Sequence, residues 1–435
     1  MNKFDELVED YSKKPVPDTR TVSGIRVALV IIGISIALPA FVAGIQIGSA
    51  VGLTHAIIAF FAGGLILTIL GVLTSVVGAR ARLTTYMLVQ FSFGPQGARL
   101  VNFILAATMF GWFGVNASLF GKATATTMEA IYGYGGLEDL YVAIGGALMV
   151  VTTIFGFRAL DKLSLFAVPV LLAILVGIMA LSVTGTDPAT LFATARGDMT
   201  LGLAISATAG GMMAGVVTMP DLARYLAGKA QAVIAMVLAF ALGGPTILLT
   251  AAVPSLATGQ SDLLLILLSL GFGVPALFLL IFATWTSNAA NVYSSGLSLA
   301  ATFPGVHRWK LTVAAGAAGT LLAIAGIMDH FVPFLVGLGV TIPPVAGIYV
   351  AHFYFVAHQR YDLAILSTLP PVRWRAFVGW AAGVAVGCLG AYGGVTLTTI
   401  PALDSLLVSG ALYLFLQGLF PHRWPGDKRG DPLSS

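Results

Sequence analysis

Apolar segments long enough to cross a lipid bilayer recur along nearly the whole chain. A transmembrane helix needs about 20 predominantly apolar residues. Twelve segments meet this requirement, and they are residues 25–47, 53–77, 98–130, 141–157, 163–183, 201–226, 232–256, 263–301, 311–328, 331–358, 377–397 and 401–419. Charged residues make up only 9% of the chain, against about 25% in soluble domains. The sequence therefore predicts an all-α membrane protein with twelve transmembrane helices in a lipid bilayer.

The basic residues indicate how these segments are oriented. In a twelve-span bundle both termini lie on one side, and only Lys122 and Arg196 of the 22 basic residues fall on the opposite side. Because positive residues in short loops stay in the cytoplasm, both termini are predicted to be cytoplasmic, in the cell (inner) membrane. Residues 1–23 form an N-terminal segment expected to be polar and mobile. It has no apolar run before a cleavage site and is therefore not expected to be a signal peptide.

Composition also limits cofactors and partners. The single cysteine, Cys388, excludes an intramolecular disulfide framework and a cysteine metal cluster. The sequence pI of about 9.1 follows from the basic cytoplasmic loops, so no nucleic acid is expected as a partner. No obligatory protein partner is evident, and residues 421–435 are expected to form a cytoplasmic tail.

Two of the predicted spans contain residues that interrupt a helix. In span one, Pro39 removes a backbone donor and leaves carbonyls near Gly33 and Ile36 free to face a ligand. Span six has three glycines within six residues, among them Gly211. Interruptions in corresponding spans of two halves indicate a transport site near the bilayer midplane. The alternative is close helix packing through small residues.

Span eight carries a polar stripe inside an apolar segment. Spacings of three and four place the following residues on one helical face: Thr284, Ser287 or Asn288, Asn291, Ser295 and Ser298. Such groups suit a weakly bound cation and a small uncharged polar molecule. For the hydroxyls alone, hydrogen bonding between helices is the favoured interpretation. Asn288 and Asn291, three residues apart and next to Trp285, favour a ligand site, although Asn291 can equally tie helices together.

Span three adds a second candidate face. Met109, Trp112 and Asn116 are separated by three and four residues and share one side of the helix. Trp112 can stack on a flat ring, and Asn116 can hydrogen-bond its edge. Trp112 can also be a core residue, because Gly111 and Gly114 beside it allow close packing.

In the order and spacing of its motifs, the chain resembles the nucleobase:cation symporter-1 family, the permeases for cytosine, purines, uracil, thiamine and allantoin. Among these, bacterial cytosine permeases have the most similar motifs. The resemblance is near full length. The matching motifs are Leu83-Thr84-Thr85, Phe91-Ser92-Phe93-Gly94, Gly111-Trp112-Phe113-Gly114-Val115, Asp221 with Arg224, Trp285-Thr286-Ser287-Asn288, Tyr293-Ser294-Ser295-Gly296-Leu297 and Ile342-Pro343-Pro344-Val345 with Gly347.

The resemblance implies a permease domain at 24–420. It comprises two inverted five-helix repeats, about 24–184 and 197–358, with helices 1 and 6 broken, and two extra helices at about 374–420. It implies secondary active import of a heterocyclic base by cation symport with alternating access, and no cofactor. It also implies a sodium ion between spans one and eight, with ligands from the carbonyls of Gly33, Ile36 and Ala283 and the hydroxyls of Thr286 and Ser287.

Several positions depart from the cytosine-permease pattern. Met109 stands where that branch has a glutamine, and Asn116 stands where the hydantoin branch has an amide. Met212 and Met213 replace an aromatic residue and a serine, and a thioether can lie against an aromatic ring. A pyrimidine such as cytosine is favoured as the substrate. A hydantoin, allantoin, a purine or a hydroxymethylpyrimidine stays open, as does coupling to protons.

Two other classes of function are disfavoured. An enzyme would need a nucleophile–base pair or metal ligands, but the two histidines within predicted spans, His55 and His352, have no acid at helical spacing. A passive channel does not fit broken helices and a stacking tryptophan, which suit the occlusion of one solute. No acid lies well inside a span, so a carboxylate proton relay is not expected and sodium is favoured.

Overall fold

The protein is helical throughout the part of the chain that the structure describes. In this computed structural model, the described residues are 11, 14–134, 136–154, 157–184, 186–193, 197, 199–260, 273–330, 337–338 and 340–419. These residues contain no β-strand, and Val22 and Leu226 form an isolated bridge. The predicted tail at 421–435, the start of span eight and residues 331–336 of span ten lie outside this part.

The helices follow one another with short connections. The first seven are α1 Gly24–Ser35, α2 Leu38–Ala81, α3 Thr85–Phe93, α4 Gly97–Tyr132, α5 Glu138–Ile154, α6 Phe157–Val183 and α7 Pro188–Ala193. The next ten are α8 Leu201–Gly211, α9 Met213–Val217, α10 Pro220–Ala223, α11 Lys229–Met236, α12 Gly244–Thr258, α13 Gly273–Thr302, α14 Arg308–Ile324, α15 Pro343–Ala351, α16 Trp374–Gly393 and α17 Pro401–Leu419. A π-helical turn, Val237–Gly243, joins α11 to α12, and another, His352–Val356, follows α15.

Six helices in the described ranges are long and apolar enough to cross a membrane: Leu38–Ala81, Gly97–Glu129, Ser164–Val183, Lys229–Thr258, Trp374–Gly393 and Pro401–Leu419. Three shorter apolar helices are Gly24–Ser35, Leu201–Gly211 and Pro343–Val356. Predicted spans four and nine correspond to α5 and α14, which have 17 residues each. The count of twelve spans stays a prediction.

Both predicted helix interruptions are present. Helix α1 ends at Ser35. The next two residues, Ile36 and Ala37, are non-helical, and α2 begins at Leu38 with Pro39 in its first turn. Because proline has no N–H, Pro39 cannot continue the hydrogen bonds of α1, but it is tolerated where a new helix starts. Met212, with φ −111° and ψ 5°, separates α8 from α9.

The junction between predicted spans one and two differs from the expectation. The sequence places a connection at residues 48–52, but α2 runs through it with a kink at Gly52, where φ is 74° and ψ is 163°. A positive φ costs little for glycine, so the chain changes direction without a loop. The outward side of α2 then exposes large apolar residues such as Leu65 and Ile69, each 56% exposed.

The centre of the bundle is formed where α13 packs along α4 and also contacts α1, α5 and α6. The buried side of α13 carries Ala283, Ala289, Val292 and Tyr293, each fully buried. The polar side chains of Thr284, Thr286, Ser287, Asn288, Ser295 and Ser298 are buried as well, and Asn291 is half-buried. Polar groups inside a bilayer need such enclosure by protein.

Candidate functional site

The break in span one meets α13 at Thr286. The Thr286 Oγ1 atom lies 2.8 Å from the Gly33 carbonyl oxygen and 3.0 Å from the carbonyl oxygens of Phe282 and Ala283. In an unbroken helix the Gly33 carbonyl would accept from the amide of Ala37, but that amide donates to Ser35 at 3.0 Å. The break thus frees the Gly33 carbonyl for a partner on α13.

The other two predicted sodium ligands adjoin this cluster in the chain. Ile36 is fully buried within the break, and the amide of Ala40, four residues on, donates to the Ala37 carbonyl at 2.9 Å. Ser287 follows Thr286 directly and is 4% exposed. Gly33, Ala283 and Thr286 are therefore brought together within hydrogen-bond distance, while Ile36 and Ser287 are buried beside them in sequence.

Gly33 is enclosed closely by two other helices. A Cβ atom added there would lie 2.8 Å from Val168 Cγ2 and 3.3 Å from Ser164 Oγ, both on α6. It would also lie 3.5 Å from Thr286 Cβ on α13. Glycine is required here for the close approach of helices, and the approach places the Gly33 carbonyl against Thr286.

The asparagine pair on α13 is hydrogen-bonded to α4. Asn288 is fully buried, and its Nδ2 atom donates to the Phe113 carbonyl at 3.1 Å. Its Oδ1 atom accepts from Asn291 Nδ2 at 3.2 Å. A primary amide has two N–H groups and two acceptor lone pairs, so Asn288 keeps one donor and one acceptor beyond these contacts.

The serines further along the stripe join helices. Ser295 Oγ donates to the Ala106 carbonyl at 3.3 Å, and Ser298 Oγ donates to the Asn102 carbonyl, both on α4. Hydrogen bonding between helices, the favoured alternative for the hydroxyls, therefore describes this end of the stripe. The Thr284 hydroxyl is buried and has no hydrogen-bond partner in the structure.

The remaining predicted site residues lie on α4 and at the break in span six. Met109 is 5% exposed and Asn116 is 4% exposed, whereas Trp112 is half-buried. Met213 lies in the main core cluster at 2% exposure. Met212 is half-buried at the break itself, and Gly211 is exposed, with open space around the position of an added Cβ.

Span four contributes residues that sequence reasoning missed. The Trp285 Nε1–H donates to Thr152 Oγ1 at 2.9 Å, and its ring stacks on Phe282 at a centroid distance of 5.8 Å. Thr153 is fully buried, and its Oγ1 atom lies 3.2 Å from the Ala289 carbonyl oxygen. In the sequence, the consecutive threonines Thr152 and Thr153 within an apolar segment were a signal that span four contributes polar contacts.

Two further clusters of polar residues lie away from the two helix breaks, and the first surrounds Asp221 and Arg224. The amide of Thr85 donates to Asp221 Oδ1 at 2.8 Å, and Arg224 Nη2 donates to the Tyr293 hydroxyl at 2.8 Å. Motifs from the loop after span two, the end of span six and span eight therefore meet at one place.

The second cluster surrounds His352. Arg373 Nη1 lies 2.9 Å from His352 Nε2, and the Tyr361 hydroxyl lies 2.6 Å from His352 Nδ1. Because arginine only donates, Nε2 accepts, and the proton of a neutral ring sits on Nδ1. Burial raises the pKa of the Tyr361 phenol well above its usual value, so this phenol stays protonated.

Comparisons with known proteins agree with this architecture. A family model described as "Permease for cytosine/purines, uracil, thiamine, allantoin" matches residues 15–411. The cytosine permease of Escherichia coli (strain K12) is 29% identical over 385 residues, covering 87% of this chain and 88% of that protein. The hydantoin permease of Microbacterium maritypicum is 26% identical over 441 residues, covering 93% of this chain and 86% of that protein.

A solved structure shares the fold. Mhp1, a nucleobase-cation-symport-1 family transporter in a closed conformation with bromovinylhydantoin bound, superposes with a TM-score of 0.83 at 22% identity. The match covers 96% of this chain and 98% of Mhp1. The expected family resemblance is confirmed, and the all-helical fold is that of an Mhp1-like transporter. Since the family model spans residues 15–411 of the 435, the chain belongs to the family of permeases for cytosine/purines, uracil, thiamine and allantoin, and it is a membrane-embedded transporter of small molecules, not an enzyme.

Proposed function

We propose that this protein imports a nucleobase or a related heterocycle, with a cytosine-like pyrimidine as the substrate, by sodium symport with alternating access. One observation carries the proposal. At the break in span one, the Thr286 hydroxyl reaches the carbonyl oxygens of Gly33 and Ala283 within 3.0 Å. Unwound backbone at the interface of two repeats is where secondary transporters bind their coupling ions.

The chemistry of this cluster suits sodium. The proposed ligands are the carbonyls of Gly33, Ile36 and Ala283 with the hydroxyls of Thr286 and Ser287, which are all neutral oxygen donors. A proton carrier would need a titratable group at the same place. Among the described residues, no group of three or more His, Cys, Asp or Glu residues could hold a metal ion, so backbone and hydroxyl oxygens are the available ligands.

The proposed substrate contacts come from three helices. Trp112 stacks on the ring, Asn116 and Asn288 bond its edge, and Met109 lies beside them on α4. Span six contributes Gly211, Met212 and Met213. Asn291 also belongs to the set, and its bond to Asn288 Oδ1 fixes which way that amide faces. With one N–H and one lone pair left, Asn288 matches a ring edge that offers an adjacent acceptor and donor, as pyrimidines and hydantoins do.

The proposed architecture places these residues at the centre of the membrane. Twelve spans form two inverted five-helix repeats, about 24–184 and 197–358, followed by two helices at about 374–420. Both termini are cytoplasmic. The paired breaks support this arrangement, because α1 and α8 precede them at equivalent positions of the two repeats.

The test measures substrate binding to the purified protein at several sodium concentrations. Thr286→Ala should raise the sodium concentration for half-maximal binding, because each lost oxygen ligand costs about 1–3 kcal/mol. Thr302→Ala is the matched control, since its hydroxyl bonds only within α13, to the Ser298 carbonyl at 3.0 Å. If binding and uptake by the parent protein do not depend on sodium, the proposed coupling is wrong. An uptake rate that rises as the external pH falls would then assign protons.

A hydantoin is the second candidate substrate. Two observations favour it: the hydantoin permease is similar over 93% of this chain, and Asn116 places an amide four residues after Trp112. A competition screen of cytosine, hydantoins, allantoin and purines at saturating sodium decides between them.

A further inference from the structure

The described N-terminal segment, Tyr11 and residues 14–23, lies against one end of the bundle and is not free. Val16 is 1% exposed and belongs to the main core cluster. Its amide donates to the Arg82 carbonyl at 3.1 Å, and Arg82 Nη1 donates back to the Val16 carbonyl at 3.3 Å. The expectation of a wholly mobile N-terminal segment is therefore wrong for this part of the chain.

The same segment is bonded to the end of span six. The Val22 amide donates to the Tyr225 carbonyl at 2.7 Å, and Arg224 Nη1 donates to the Tyr11 carbonyl at 2.8 Å. These carbonyls and amides belong to the main chain. The segment is thus attached through a few hydrogen bonds, an exposed ion pair between Asp18 and Arg82, and the apolar side chains of Val16, Val22 and Tyr11. Because hydrogen bonds and exposed ion pairs contribute only about 1 kcal/mol each, such an attachment can be reversible.

Arg224 connects this segment to span eight. It is fully buried, its Nε atom donates to the Asp221 carbonyl at 3.0 Å, and its Nη2 atom donates to the Tyr293 hydroxyl at 2.8 Å. Tyr293 is two turns beyond Thr286 on α13. A buried guanidinium needs partners for its N–H groups, and the Tyr11 carbonyl is one of those that hold Arg224 in this position.

We propose that Tyr11 and residues 14–23 act as a strap that holds the ends of spans six and eight together through Arg224 and Tyr293. This inference rests on the proposed alternating access. When the strap is seated, the Arg224–Tyr293 contact is maintained and this end of the bundle is closed. When the strap detaches, Arg224 loses the Tyr11 carbonyl, its contact with Tyr293 is weakened, and this end opens.

The experiment uses the full chain with Cys388→Ala and a reporter, Thr218→Cys. Thr218 is 7% exposed, and its carbonyl accepts from the amide of Asp221 at 3.0 Å, so it lies one turn before the residue whose carbonyl binds Arg224 Nε. The labelling rate of the reporter by a water-soluble maleimide is measured in detergent. Val16→Ala and Tyr293→Phe should each raise this rate by about five- to tenfold, the effect expected when a single hydrogen bond or apolar contact is lost from a two-state equilibrium. Arg80→Ala is the control, because Arg80 bonds Gln359 and not the strap.

The double variant Val16→Ala/Tyr293→Phe tests whether Val16 acts through the Arg224–Tyr293 contact or only through its own packing. If Val16 acts through Arg224 and Tyr293, the double variant should label little faster than either single variant, because the same contact has already been lost. Multiplied effects, or unchanged labelling in folded Val16→Ala, would overturn the proposal. This test is independent of the sodium hypothesis. Labelling is measured with and without sodium, and Val16→Ala and Tyr293→Phe should label faster than the parent under both conditions.

Discussion

A methyl group added at Gly33 is the sharpest probe of the helix break. In Gly33→Ala, the new Cβ would lie 2.8 Å from Val168 Cγ2 and 3.3 Å from Ser164 Oγ. Real contacts between such atoms are longer, so either the Val168 side chain must turn or α1 must move away from α6. Overpacking of this kind costs about 1–3 kcal/mol. The gain in helix propensity from glycine to alanine, about 1 kcal/mol at most, offsets only part of it.

The movement should reach the proposed cation site, because the Gly33 carbonyl lies 2.8 Å from Thr286 Oγ1. We expect Gly33→Ala to raise the sodium concentration for half-maximal substrate binding by up to about 30-fold, which corresponds to the roughly 2 kcal/mol that remains once the gain in helix propensity is subtracted from the overpacking cost. The assay is the binding titration at several sodium concentrations, with thermal unfolding measured in parallel. Gly177→Ala on α6 is the control, because a Cβ there meets open space.

A second substitution tests whether the contact with Val168 causes the loss of sodium affinity in Gly33→Ala. Val168→Ala removes the Cγ2 atom that the new methyl group would contact, so Gly33→Ala/Val168→Ala should recover much of the sodium affinity lost in Gly33→Ala. Val168 is fully buried, so its own truncation will lower thermal stability. The reasoning is refuted if Gly33→Ala binds sodium and substrate as the parent does, or if the Val168 substitution gives no recovery.

Three further predictions concern the substrate side. Trp112→Ala should weaken substrate binding by about 1–3 kcal/mol, whereas Trp112→Phe should retain most of the binding energy. If folded Trp112→Ala binds substrate with normal affinity, Trp112 is a packing residue and does not contact the substrate. Asn288→Ala should lower substrate affinity and also weaken its dependence on sodium, which the same titration measures. Asn291→Asp replaces the N–H that donates to Asn288 Oδ1 by an acceptor, so the Asn288 amide should turn over and the preference among bases should change; an unchanged preference would leave Asn291 as a tie between helices.

The breaks in spans one and six could be predicted from sequence because their causes are local. Pro39 lacks the N–H that a continuing helix needs, and the glycines around Met212 weaken the helix by themselves. The kink at Gly52 has no such signature, since glycine in an apolar segment serves packing as readily as bending. Only the positive φ in the folded chain distinguishes the two.

The candidate site was predictable as residues on a face, but not as contacts. Helical spacing placed Asn288 and Asn291 on one face of span eight, whereas Thr286 was named by the family resemblance. In the structure the Thr286 hydroxyl lies within 3.0 Å of the Gly33 and Ala283 carbonyl oxygens, two of the other expected cation ligands. The bond between Trp285 and Thr152 joins two side chains, but spacing within one helix does not say which residue of another helix it meets. The partner of Asn288 on α4 was not accessible, because it is the main-chain carbonyl of Phe113. Main-chain partners leave no mark in side-chain patterns. The burial of Val16 was missed for a related reason, since a single apolar residue in a polar segment gives no periodic signal.

Helix α13 offers a physical route by which the proposed ion and substrate would affect each other. Thr286 faces the Gly33 carbonyl, and two residues later Asn288 is bonded to the Phe113 carbonyl, beside Trp112. Sodium bound at Thr286 would pull α1 towards α13, and a base bound at Asn288 would fix α13 against α4. Each ligand would therefore order the turn that the other one needs. Such coupling must be reciprocal, so the factor by which sodium raises substrate affinity should equal the factor by which substrate raises sodium affinity.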